Sequence, residues 1–225
     1  MGLLHCIFNL FNGRDSILVY KQLENMTLEE FKEILNGNVE IPLLEDRYKI
    51  VTNIAKTVNK KMNGNFYDYI SGMSKDKEIF EVILSNFSSF EDTRTYSGQT
   101  IYFYKLAQLL TSDILHVIEI KEQKNVDYSN LIGCADYKIP QVMQGFDILQ
   151  YDKELSSLLD AKTEIEENSE YEIEIRASMI IVINYIYEQI DKRIDRIDIN
   201  DFIWSKGQDK TKNYKPYHLT RTTSY

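Results

Sequence analysis

The stretch ADYKIPQV, residues 135–142, puts one carboxylate, Asp136, in a short loop that runs straight into a helix. Pro140 suits the first turn of that helix, where a missing N–H removes no bond. Ile139, Val142, Met143 and Phe146 then recur at helical spacing. An acid on such a loop can be aimed into a cleft with little freedom to wander. The alternative is local: an Asp just before a helix often serves only as its cap or as a partner of its dipole. As chemistry, a held carboxylate offers acid–base catalysis or stabilisation of a developing positive charge.

Further groups of this kind lie on either side. Lys105, Gln108, Ser112 and His116 share one face of an otherwise apolar helix read over Thr100–Ile118, so that face either meets solvent or lines a cleft. Asp201 stands three residues before Trp204, the one tryptophan, on roughly the same helical face. Trp204 is either core filling or a stacking platform for a flat heterocycle, and Asp201 either a plain cap or part of a site. His218 and Arg221 sit in a basic tail, where arginine is the better planar fork for phosphate. With three histidines, a histidine-rich metal centre is not expected, and no metal or cofactor is assigned. A glycine-rich phosphate loop, a dinucleotide fingerprint and a Gly-x-Ser-x-Gly elbow are all absent, which removes the common nucleotide-dependent enzyme classes.

The elements that position these groups read as helices. Three prolines and nine glycines leave little material for turns. Thr27 and Glu30 form a capping-box pair opening a helix that Gly37 ends. Periodicity predicts helices over 43–62, 75–87, 100–118, 140–151, 153–161 and 170–190, with a short one holding Asp201–Trp204. Residues 88–98 read as a loop, and the last ten as irregular or extended. Glu172 and Arg176, four apart, give modest helical support.

Composition sets the class. The 225 residues are 43% hydrophobic, enough for a substantial core. A net charge of −9 argues against duplex nucleic acid, which needs Lys and Arg to displace counterions. That charge is uneven: nine acids against two bases over 152–174, then five bases against one acid over 206–225. The basic end could hold a small anion or simply be solvated. Cys6 and Cys134 have neither a disulfide framework nor zinc spacing and read as buried reduced thiols of a cytoplasmic protein. No apolar run reaches the length of a membrane span.

Five segments in order resemble the queuosine salvage family, the queuosine 5′-phosphate N-glycosylases. SSFEDTRTY followed by GQTIYFYKLAQLL is similar to that family's loop and Lys-Arg-Ala-Gln helix, with Leu106 where the family commonly has Arg. Ala135, Asp136, Tyr137, Pro140 and Gln141 match its Ala-Asp-Tyr-x-x-Pro-Gln pattern. EIEIRAS resembles its Glu-x-Glu-Ile-Arg segment, DFIW its tryptophan helix, and PYHLTRTTSY its His-x-x-Arg ending. Two departures stand out. The family's further N-terminal third has no counterpart, and Asn200 holds the place, four before the tryptophan, where the pattern usually sets Asp.

The resemblance implies an all-α fold, one compact helical domain over 1–225, similar to the helix-hairpin-helix DNA glycosylases. It implies hydrolysis of the N-glycosidic bond of queuosine 5′-phosphate to queuine and ribose 5-phosphate, with no direct nucleic-acid partner and no membrane. Asp201 is then the nucleophile or stabiliser, Asp136 a binder of the base or its cyclopentenediol, with either acid able to take the first role. Lys105 donates to substrate or keeps a carboxylate ionised. Tyr137, Gln141 and Trp204 fall to substrate binding, and Lys215, His218 and Arg221 to the 5′-phosphate. The alternative is a short relative that binds queuine or its nucleotide without turnover. Oligomeric state is left open.

Overall fold

The computed structural model describes residues 3–35 and 40–225. Among these there are eleven α-helices and one two-stranded sheet, so the fold is mostly helical. The described chain forms two units, Met1–Met73 and Ser74–Tyr225. Among the described residues no helix is long and apolar enough to cross a membrane.

The first unit holds α1 (Leu3–Phe11), α2 (Ser16–Asn25), α3 (Leu28–Ile34), α4 (Leu44–Lys61) and α5 (Phe66–Ile70). The start of α3 is fixed by the expected capping box: Thr27 N–H donates to Glu30 Oε2 at 2.7 Å, and Glu30 N–H to Thr27 Oγ1 at 3.2 Å. Its expected terminator, Gly37, lies outside the described residues. The apolar stripe of α4 does what its spacing predicts. Leu44, Tyr48 and Val51 pack with buried Ala55 on a core of Val19, Leu23, Phe31 and Leu35.

The second unit carries every residue singled out for chemistry. In order come α6 (Asp76–Asn86), a 3-10 turn Ser88–Phe90, β1 (Thr93–Tyr96), β2 (Gln99–Tyr102), α7 (Lys105–Glu122), α8 (Lys138–Gly145), α9 (Lys153–Asp160), α10 (Glu170–Gln189) and α11 (Arg196–Lys206). Its core joins Phe103, Ala135, Ile139, Val142 and Met143 to Ile173, Met179 and Ile183 of α10 and Ile199 and Ile203 of α11. The loop before α8 thus packs, through Ala135, into the same core as α10 and α11. Cys6 and Cys134 are free and buried, as expected.

Two stretches differ from the sequence expectation. Residues 93–102 form an antiparallel hairpin, Thr93 opposite Tyr102 and Tyr96 opposite Gln99, instead of a loop followed by helix. Ser97 and Gly98 turn it with φ of 48° and 77°, as a two-residue hairpin turn with both centres left-handed requires. As a result α7 begins only at Lys105. The other is α8, which starts two residues before Pro140 and stops at Gly145, well short of Tyr151.

Candidate active site

The start of α8 is built by Asp136. Its Oδ1 accepts from the N–H of Lys138 at 2.9 Å and of Ile139 at 3.1 Å. Pro140 has no N–H to satisfy, so the helix opens with its first donors accounted for. The cap reading of Asp136 is thus correct as far as it goes, and it takes one oxygen. The carboxyl is 7% exposed. Burial pushes its pKa up from the usual carboxylate range, against the bonds from Ile139 and Lys138 and the charges of Lys105 and Lys138.

A second frame holds the same loop from behind. Arg176 on α10 is fully buried and donates from Nε to the Ala135 carbonyl at 2.9 Å. Its other nitrogens pair with Asp92 and, at 3.0 Å, with Glu172. Arg94 on β1 pairs with Asp92 and Glu172, each at 3.1 Å, and with Glu167 at 3.0 Å. Asp92 Oδ2 accepts from the Lys105 N–H at 3.1 Å, and the Asp92 carbonyl from Phe103 and Tyr104. The guanidinium of Arg176 lies over the Phe103 ring at 4.1 Å and the Tyr225 ring at 4.3 Å. One buried charge network therefore fixes the beginning of α7, the Asp136 loop and the C-terminal tail together. The modest helical pair read from Glu172 and Arg176 is in fact the centre of this network.

Lys105 opens α7 directly after Tyr104, whose φ of 49° and ψ of 40° place a bulky residue in the left-handed region. Backbone strain of that kind persists only where surroundings over-determine it, and it gathers at functional sites. Along α7 the expected polar stripe divides. Gln108 and Ser112 are buried, with Gln108 Oε1 accepting from the Ile132 N–H at 3.2 Å. Lys105 is half-buried and His116 exposed.

Asp201 on α11 closes the set. Asn200 is buried; its Oδ1 accepts from the Cys134 N–H at 2.8 Å, and its Nδ2 donates to Asp201 Oδ1 at 2.9 Å. Desolvation raises the Asp201 pKa, the Asn200 bond and the His116 charge lower it, and the Asp198 charge raises it further. Cys134 reports the cluster. Burial drives its thiol up to about 12, and the charges of Lys105, Asp201, Asp136 and Asp113 all act on it. Asp113 was missed in the sequence reading although it precedes His116 by one turn. Desolvation and the Asp201 charge raise its pKa, while His116 and Lys105 lower it. Three carboxylates with elevated pKa thus share two neighbours: Lys105 acts on Asp113 and Asp136, and His116 on Asp113 and Asp201. Such an arrangement can keep one acid protonated as a donor while another stays ionised.

The remaining candidates are placed as follows. Tyr137 is half-exposed and stacks on Tyr217 with ring centroids 4.6 Å apart. Gln141 accepts from Lys138 Nζ at 2.9 Å and donates to the Lys215 carbonyl at 2.6 Å, tying the tail to α8. Trp204 is 45% exposed on α11 and is not core filling. The tail lies along the acidic segment: Lys215 Nζ is 3.8 Å from Asp160, Arg221 3.5 Å from Glu164, and the Leu219 carbonyl accepts from Ile165 N–H. His218 is buried, its Nε2 3.2 Å from the Tyr225 hydroxyl. Burial and then the Arg176 charge depress its pKa to about 4.

A family model described as queuosine salvage protein matches residues 1–225. Similar curated proteins carry the name queuosine 5′-phosphate N-glycosylase/hydrolase. The chain is 31% identical over 208 residues to that of Sphaerobacter thermophilus, covering 90% of this chain and 64% of the relative. It is 28% identical over 217 residues to that of Bos taurus, covering 89% and 64%. For Dictyostelium discoideum the identity is 26% over 191 residues, covering 83% and 60%. The chain thus spans under two thirds of the length of these relatives.

Proposed function

The chain belongs to the queuosine salvage protein family, and from that premise we propose that it hydrolyses the N-glycosidic bond of queuosine 5′-phosphate, releasing queuine and ribose 5-phosphate. The observation that carries this reading is the pinned loop before α8: Asn200 accepts from the Cys134 N–H and donates to Asp201, Arg176 holds the Ala135 carbonyl, and Asp136 follows directly.

Breaking C1′–N9 builds oxocarbenium-like charge on the ribose as the bonding pair departs with the base. A carboxylate beside C1′ stabilises that charge and takes a proton from the attacking water. Asp201 is assigned this role because it is exposed on α11, and its bond from Asn200 works against the desolvation that raises its pKa. Asp136, with its elevated pKa, suits a hydrogen bond to the base or its cyclopentenediol. Queuine is a 7-deazapurine without N7, so help to the leaving group comes through its other heteroatoms. Lys105 donates to substrate and favours ionisation of the acids near it. Tyr137 and Trp204 offer ring faces to the base, and Gln141 a fixed amide. Lys215, His218 and Arg221 fall to the 5′-phosphate only if substrate draws the two cations from Asp160 and Glu164. Two free buried thiols suit a cytoplasmic enzyme.

A second reading has one observation in its favour. Asn200 puts an amide where the family pattern usually sets Asp, and an amide is no general base. On that reading the chain binds the nucleotide or queuine without turnover.

One experiment separates the two. The purified chain is incubated with queuosine 5′-phosphate and free queuine is followed by mass spectrometry. Release supports hydrolysis, and Asp201→Asn and Asp136→Asn then each lower it about 10²-fold or more. Wild-type rates in both variants would remove these residues from the chemistry. Thermal stabilisation by queuine without release favours the binding reading.

A further inference from the structure

Among the described residues, the outer side of α11 is apolar and uncovered. Phe146 continues the buried stripe of α8 past the end of that helix, yet it is 54% exposed. Ile148, Ile194 and Phe202 are 49%, 50% and 61% exposed. These four border a groove of about 720 Å³ whose walls are almost wholly apolar. Hydrophobic residues scattered singly over a surface need no explanation, but four large ones around one groove mark an interaction site.

The rim of the groove carries a charge pattern. Asp198, Phe202 and Lys206 all border it and stand one helical turn apart along α11. The Lys206 ammonium lies 4.6 Å from the centre of the Phe202 ring. The face therefore reads acid, aromatic, base along the helix axis, with the aromatic midway.

We propose that this face is occupied by a second copy of the chain, α11 packing antiparallel on α11 about a two-fold axis at Phe202. In such a pair the position four residues before the axis faces the position four residues after it. Asp198 then meets the partner's Lys206, and Lys206 the partner's Asp198, while the Phe202 rings meet at the centre. One patch serves both protomers, as a two-fold interface requires. A parallel arrangement would set acid on acid and base on base. A lipid surface would favour a basic rim, whereas this rim has one charge of each sign in a chain of net charge −9. Asp201 lies between Asp198 and Phe202 on the same helix, so dimerisation braces the helix that carries it.

The test is the mass of the full chain in solution, followed by mass photometry at nanomolar and sedimentation at micromolar concentrations. A dimer is expected. Asp198→Lys and Lys206→Glu each set like charges together and should weaken it about tenfold or more, as should Phe202→Glu. The double variant Asp198→Lys with Lys206→Glu restores opposite charges and should recover most of the affinity. Circular dichroism and melting check that each variant folds. A monomer at all concentrations would overturn the proposal. So would a dimer indifferent to Phe202→Glu, or one in which the double variant is no better than the single ones. Monomers that instead bind phosphatidylcholine vesicles, losing that binding with Phe202→Glu, would assign the face to lipid and overturn it as well.

Discussion

Arg176 Nε donates to the Ala135 carbonyl at 2.9 Å, one residue before Asp136. The same guanidinium is stacked between two rings and paired with Asp92 and Glu172, all buried. Lysine retains the charge but not the planar fork, the stacking or the third bond. Arg176→Lys should therefore lower both stability and queuine release, since the loop loses its anchor. Arg176→Met leaves two buried carboxylates short of a partner and should cost about 3–5 kcal/mol. Urea unfolding measures this, and an unchanged midpoint for Arg176→Met would contradict the assigned role.

Asn200→Asp is a sharper probe because it changes one atom's role. The Cys134 N–H keeps its acceptor, but the donor to Asp201 is replaced by a second carboxylate. Like charges side by side raise one of the two pKa values. The acid limb of the pH–rate profile should accordingly move to higher pH in Asn200→Asp. Asn200→Ala removes both bonds and should instead destabilise the chain by about 1–3 kcal/mol. An acid limb unmoved in Asn200→Asp would mean that Asp201 does not govern the rate.

Most of the helices were legible because apolar periodicity and caps are local signals, whereas α1, α2 and α5 went unread. Thr27 with Glu30 and Pro140 after Asp136 each announced a start that is present. The hairpin was not, because four alternating residues on each side of Ser97–Gly98 are too few to outweigh the apolar run that follows. The helix-terminal position of Lys105 depends on that hairpin. The buried network was invisible for a different reason. Asp92 and Arg176 lie 84 residues apart, and nothing in a charged side chain's identity says that it will be desolvated. Gathering Asp113, Asp136 and Asp201 about one thiol is likewise a property of three elements packing together. The tail illustrates the converse: its basic charge was plain, but that the acidic run would engage it was not.

Cys134 offers a test that needs no substrate. Its thiol is buried and pushed up to about 12, so almost none is thiolate at pH 8. Alkylation by iodoacetamide in the native state should be slow enough to report unfolding, and rapid in urea. Peptide mapping by mass spectrometry assigns the site. Fast native labelling of Cys134 would show that the loop between α7 and α8 opens readily, contrary to its anchoring by Asn200 and Arg176.

Burial of His218 should make the fold lose stability as pH falls. Its folded pKa is depressed to about 4 from the ordinary 6.5, so the unfolded chain takes up the proton first. Its contribution is complete above 6.5 and is lost as pH falls toward 4. The difference is worth on the order of 3 kcal/mol. Asp113, Asp136 and Asp201 act in the opposite sense, because acids with raised folded pKa values favour the folded state at low pH. The wild-type curve mixes both, whereas its difference from His218→Gln isolates the histidine. Stability measured by urea unfolding at a series of pH values should fall less steeply between 6.5 and 4 in His218→Gln than in the wild type. Parallel curves would mean that the imidazole is protonated in the fold, and that the contact between the tail and Arg176 is looser than its burial implies.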